Sequence, residues 1–169
     1  MRTIYFITTL IFGILFVSCK QEKKENIKNI VDKVSTTKPL LKDYIVGNWE
    51  TTYLKIKYLT ANETDSTSVF EDDFSTPSSG KAQSSYKNDG TFTAWFIKAD
   101  GEKVDETSGV WKTRGDSLFV DYPYLGKQVQ AWYLITQAKD GFMATSTYDW
   151  DNDGENDDIL LMKTKKIEL

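Results

Sequence analysis

The residues best placed to do chemistry lie near the C-terminus. From Tyr148 to Asp158 the chain reads Y-D-W-D-N-D-G-E-N-D-D, in which six of eleven side chains are acidic. Carboxylates fall at alternate positions, Asp149, Asp151 and Asp153, followed by Gly154, Glu155 and Asp157. This spacing suits a hard cation. Alternate side chains converge on one point while the backbone wraps, glycine supplies the sharp turn at the sixth position, and the carbonyl of Glu155 takes the seventh. The expected ligand set is therefore Asp149, Asp151, Asp153, Glu155 and Asp157, and the expected ion is calcium. Leu160 stands where an EF-hand has its bidentate Glu, and the flanking runs read as strands. A loop of this kind binds weakly, on the order of 10⁻⁴ to 10⁻³ M. The competing reading is an acidic hairpin that keeps a sheet edge soluble.

Composition excludes most other site chemistry. The chain has no His and a single Cys, Cys19. Ser–His and Cys–His nucleophiles and His-containing zinc sites are therefore excluded. A hydrolase would need two carboxylates, as glycosidases have. The acids here sit in turns and in Glu71-Asp72-Asp73, not at the ends of apolar strands where burial raises a pKa. The expectation is a protein without enzymatic activity. Arg114-Gly115-Asp116 reads as a turn rather than an adhesion triplet. A net charge of −4 with no basic patch makes nucleic acid an unexpected partner.

The second candidate site is apolar. Phe92, Ala94 and Phe96 share one strand face; Val129, Ala131, Tyr133 and Ile135 share another, with Trp132 and Leu134 opposite. Phe92, Phe96, Trp132 and Tyr133 are the candidate pocket residues for a small apolar or lipid-like ligand. The alternative is an ordinary packed core.

These residues need a scaffold, and the period of the chain indicates one. From Tyr44 onward, aromatic and β-branched residues alternate with polar ones over successive short runs, the signature of strands. Between the runs stand N-D-G (Asn88 to Gly90), A-D-G-E (Ala99 to Glu102), R-G-D, K-D-G (Lys139 to Gly141) and N-D-G (Asn152 to Gly154). Such turns join sequential antiparallel neighbours. The one long break, Thr60 to Gln83, holds a V-F-E-D-D-F island that reads as strand or helical turn. The expected fold is all-β: an up-and-down antiparallel barrel of about eight strands, closed so that no edge is left open. A two-sheet sandwich is the competitor, but it needs more long crossovers than this chain has.

The N-terminal end reads differently. Arg2 precedes an uncharged apolar run, Ile4 to Val17, too short to span a bilayer and laid out as a secretory signal peptide. F-V-S-C, Phe16 to Cys19, resembles a bacterial lipobox, with Phe where Leu is usual. Lipidation would account for the lone thiol of an exported chain. The expected organisation is a signal peptide over 1–18, a lipidated Cys19 with a polar tether over 19–39, and a barrel over 40–169. Membrane attachment through Cys19 implies a bacterial cell-envelope lipoprotein of the outer membrane, periplasmic or surface-exposed. A monomer is expected.

Four short motifs stand in order: I-V-G-N-W (Ile45 to Trp49), N-D-G-T-F (Asn88 to Phe92), S-G-V-W (Ser108 to Trp111) and R-G-D-S-L (Arg114 to Leu118). With a short helical lead-in from Pro39 to Tyr44, this set resembles the lipocalin superfamily, and most closely the lipocalin-like lipoproteins of the Bacteroidota type. The resemblance covers Leu40 to Leu169. It implies that Trp49 closes the bottom of the barrel, that Gly47 lets the backbone turn beneath it, and that Lys163, Lys165 or Lys166 lies on the indole as a cation–π partner. It also implies a membrane-tethered carrier of a small apolar molecule. The other class is a solid barrel serving as an interaction module of the envelope, with a calcium-stiffened hairpin and a protein or glycan partner.

Overall fold

The computed structural model describes residues 38–60 and 66–168. The expected signal peptide, Cys19 and the tether as far as Thr37 lie outside them. Lys38–Leu169 is one compact unit.

After a single helical turn, α1 (Leu41–Ile45), the chain is all β. The strands are β1 (Gly47–Tyr58), β2 (Ser68–Asp72), β3 (Lys81–Tyr86), β4 (Thr91–Ile97), β5 (Lys103–Arg114), β6 (Ser117–Tyr124), β7 (Lys127–Gln137), β8 (Gly141–Tyr148) and β9 (Asp158–Ile167). Strands β3 to β9 follow one another as antiparallel neighbours, and β1 pairs with both β3 and β9. Eight strands thus close on themselves as an up-and-down barrel, as the run of tight turns predicts. The V-F-E-D island resolves as β2, a ninth strand outside the ring. It pairs with Leu54 to Tyr58 of β1, and its side chains are largely exposed.

Alternation does the sorting. Along β7, Val129, Ala131, Tyr133 and Ile135 are buried, while Trp132 and Leu134 face outward. The turns use the chemistry their sequences offer. At Asn88 to Gly90, the Asp89 carboxylate accepts the amide of Thr91 at 2.9 Å, and Gly90 has φ +84°. Gly141 departs from the expected pattern, because it enters β8 rather than forming the turn. Its bare Cα is needed for close approach, since a Cβ there would lie 2.0 Å from the carbonyl oxygen of Thr164.

One end of the barrel is shut by α1 and Trp49. Leu41, Ile45 and Trp49 are almost wholly buried, and the Trp49 indole donates to the carbonyl of Ile45 at 2.7 Å. Phe142 meets the ring edge-on at 4.9 Å, and Lys166 is the lysine that lies over it, 5.6 Å from the centroid. Gly47, at φ +131°, passes so near that an added Cβ would sit 3.2 Å from the Lys166 side chain. Only glycine serves both the backbone angle and the lysine's path.

On the opposite face of β1, Glu50 is buried and fully engaged. Lys165 donates to one carboxylate oxygen at 2.8 Å and Gln83 to the other at 2.8 Å, while Trp95 donates to Gln83 at 3.0 Å. Burial alone would raise the Glu50 pKa, but Lys165 and Gln83 outweigh it and hold the carboxyl below its ordinary 4.5. A depressed carboxylate contributes stability that is present above its unfolded pKa and is lost as pH falls through the folded one. Glu50→Gln is expected to cost about 1–2 kcal/mol at neutral pH. It should cost little in strong acid, so the variant's stability changes less with pH in the acidic range. Urea melts at several pH values would show this; an equal loss at all pH values would mean that packing, not charge, is at stake.

Candidate functional site

The interior of the barrel is hollow. A cavity of ≈ 650 Å³ lies above Phe142 and Ile135 and is lined by inward side chains of every barrel strand. On one side of it β1 parts from β3. The two are paired from Gly47↔Tyr86 to Glu50↔Gln83, after which β1 takes β2 as neighbour on that side. Leu54 and Ile56 then face the cavity from one side of the gap, and Ala82 and Phe96 from the other. A volume in this range suits a drug-sized molecule.

Three of the four pocket residues expected from sequence line this cavity: Phe92, Phe96 and Tyr133. Trp132, expected among them, does not line it. Strand alternation places it on the outer face beside Phe119, 5.1 Å between ring centroids, with the Arg114 guanidinium 4.7 Å above its ring. Tyr133 and Trp132 are adjacent on one strand, so only one of them can point inward.

Tyr86, Tyr122 and Trp150 are functional candidates that the sequence reading passed over. Tyr122 was legible, since it is in phase with buried Leu118 and Val120 on β6. Tyr86 stacks on Phe92 at 5.3 Å, and Phe92 meets Tyr122 edge-on at 5.4 Å. Burial pushes the Tyr86 and Tyr133 phenols well up and Tyr122 to about 12. All three hydroxyls are therefore neutral at any physiological pH and offer hydrogen bonds but no charge.

Trp150 connects the cavity to the acidic loop. Its ring lines the cavity and packs on Tyr148 at 5.0 Å and Tyr133 at 6.4 Å. Its backbone amide donates to Asp158 at 2.7 Å, and Asp151 donates to the same oxygen at 3.1 Å. Within the loop, Gly154 takes φ +97° and its amide donates to Asp149 at 3.2 Å.

The five expected ligands do not gather as one group. Asp149 and Asp151 meet Asp158, with one carboxylate oxygen from each lying within 4.8 Å of the others. Asp153, Glu155 and Asp157 turn instead to the Thr60 hydroxyl, at 3.1, 3.5 and 3.2 Å. Asp158 was missed because it opens β9 in register with Tyr148, a pairing that spacing within the loop does not reveal. Burial raises the Asp158 pKa; the amides of Trp150 and Asp151 pull it down and the Asp151 carboxylate pushes it up.

Fold and site define a class: a closed eight-stranded antiparallel barrel, plugged at one end, with an aromatic-walled cavity and an acidic loop beside it. The chain matches no protein-family model and no curated protein.

Proposed function

We propose that this protein is a non-enzymatic carrier that holds one small apolar molecule inside a lipocalin-like barrel, tethered to the bacterial envelope through an acylated Cys19. The observation that supports this most is the ≈ 650 Å³ cavity walled by Phe92, Phe96, Tyr86, Tyr122 and Tyr133. An interior meant only to be stable would be filled, because voids forfeit packing. Native mass spectrometry of Lys20–Leu169 purified from bacterial cells tests it, since the barrel, plug and core all lie within the compact unit that begins at Lys38. Added mass of one lipid-sized molecule is expected. A bare chain that also takes up no hydrophobic fluorescent probe would move the weight to an interaction module. The tether is tested separately: Cys19→Ala should release the protein from membranes.

A second reading concerns the acidic loop. One oxygen each of Asp149, Asp151 and Asp157 is buried without a hydrogen-bond partner, and Asp149 and Asp151 group with the buried carboxylate of Asp158. Unpaired buried carboxylate oxygens are costly unless a cation meets them. We propose that Asp149, Asp151 and Asp158 hold a calcium ion, with Asp157 nearby. At 10 mM calcium, a site of 10⁻⁴ to 10⁻³ M stabilises by about 1.4–2.7 kcal/mol, which raises Tm by about 3–10 °C. Asp151→Asn should abolish the rise, and should leave the calcium-free protein no less stable because a like-charge contact is relieved. An unchanged Tm on adding calcium would make this an acidic turn and nothing more.

A further inference from the structure

The charge inventory of the cavity bears on what it can hold. The residues lining it include no lysine or arginine, and the chain has no histidine. Its polar wall groups are neutral ones, chiefly the hydroxyls of Tyr86, Tyr122 and Tyr133. The only charged side chains in the lining are Asp105 and Glu106.

A bulge puts both there. Between β4 and β5 the register passes from Ala94↔Thr107 to Phe96↔Val104, leaving one extra residue on β5, and Asp105 takes φ 53°. Bulges re-aim side chains in this way. Glu106 is compensated by Lys103 at 2.7 Å, and that lysine lies over the Trp95 ring at 4.4 Å. Asp105 has no ion pair among the described residues. Lys127, which opens β7 next to the lining residue Gly126, donates to the Asn152 side chain and is not part of the lining.

An anion entering this cavity would lose its hydration and meet no countercharge, which is the costly case of burying a charge. The aromatic walls add to the bias, because ring faces carry negative potential and attract cations. A neutral head loses only a hydrogen bond or two and finds phenols to replace them. A protonated amine keeps its head at the rim, against Asp105 and ring faces.

We propose that the barrel selects its ligand by charge: it accepts neutral and singly protonated amine amphiphiles and rejects carboxylates of the same apolar body. This rests on the carrier reading above. The test is titration of Lys20–Leu169 at about pH 7 with decanol, decylamine and decanoate, below their aggregation limits, read by calorimetry and by intrinsic tryptophan fluorescence, to which Trp95 and Trp150 of the lining contribute. Decanol and decylamine are expected to bind at least about 10-fold tighter than decanoate. Asp105 is exposed at the rim, so Asp105→Asn, which tolerates the positive φ, should weaken decylamine about 2- to 5-fold and leave decanol unchanged. Decanoate binding as tightly as the other two would overturn charge selection while keeping the carrier. Amine binding indifferent to Asp105→Asn, with decanoate still rejected, would overturn the role of Asp105 in the amine arm. No binding by any of the three would sink the carrier reading, and the selection with it.

Discussion

Replacing Trp49 by Ala is expected to cost about 3–5 kcal/mol, the range for removing a large aromatic from a packed site. The barrel's Tm should fall by on the order of 10–20 °C. Trp49 is 1% exposed and joins three structures at once. Its indole donates to Ile45, which ties the first strand to α1; its ring edge meets Phe142 at the start of β8; and its face takes Lys166 from β9. A truncation there opens a void where the plug, the first strand and the last strand meet, and leaves the Ile45 carbonyl without its donor. Trp49→Phe separates these contributions. It keeps most of the ring and loses the hydrogen bond, so about 1–2 kcal/mol should be lost. Thermal melts of both variants would decide it: equal losses would show that the hydrogen bond dominates, and no loss from Trp49→Ala would mean that the closed end is held by α1 alone.

The residues that could be read correctly from sequence are those whose neighbours are set by period or by turn chemistry. Alternation alone sorted Phe92 and Tyr133 inward, and Asp-Gly turns gave the order of the strands. Trp132 shows the limit of an aromatic count: an indole beside Arg114 and Phe119 on the outer face resembles a pocket residue until phase is applied strictly. The choice among Lys163, Lys165 and Lys166 needed register across β1 and β9. Lys166 stands opposite Trp49, Lys165 opposite Glu50 and Lys163 opposite Tyr53. Each of these lysines is engaged by its cross-strand partner, with Lys163 lying 5.0 Å over the Tyr53 ring. The acidic loop was legible as a cluster but not as a geometry. Which carboxylates meet depends on Asp158 being drawn in by strand pairing and on Thr60 arriving from the end of β1. The hollow interior was not legible either, because a buried apolar face looks the same whether it meets another side chain or a ligand. Nor was the parting of β1 from β3, where β2 becomes the neighbour of β1, since the partner of an isolated five-residue strand is not set by turn chemistry.

The cavity itself can be closed by one substitution. Ala94→Trp is expected to abolish ligand binding, with affinity reduced about 100-fold or more, while the barrel keeps its stability. Ala94 faces the cavity from the middle of β4, between Phe92 and Phe96 on the same face and opposite Ser84 and Thr107 on the neighbouring strands. An indole there projects into space rather than into packed atoms, so the usual 1–3 kcal/mol of overpacking strain should largely be avoided. It would occupy the volume of three or four ligand methylenes. At about 0.8 kcal/mol for each, that removes some 2.5–3 kcal/mol of burial, or roughly 100-fold in affinity. Leu134→Trp is the control, because Leu134 is exposed on the outer face of β7 and a bulky ring there touches nothing in the cavity. Binding lost in Ala94→Trp and kept in Leu134→Trp, with both variants melting near the parent protein, would place the ligand inside the barrel. Binding that survives Ala94→Trp in a folded protein would move it to the outer surface, and the aromatic interior would then be a loosely filled core.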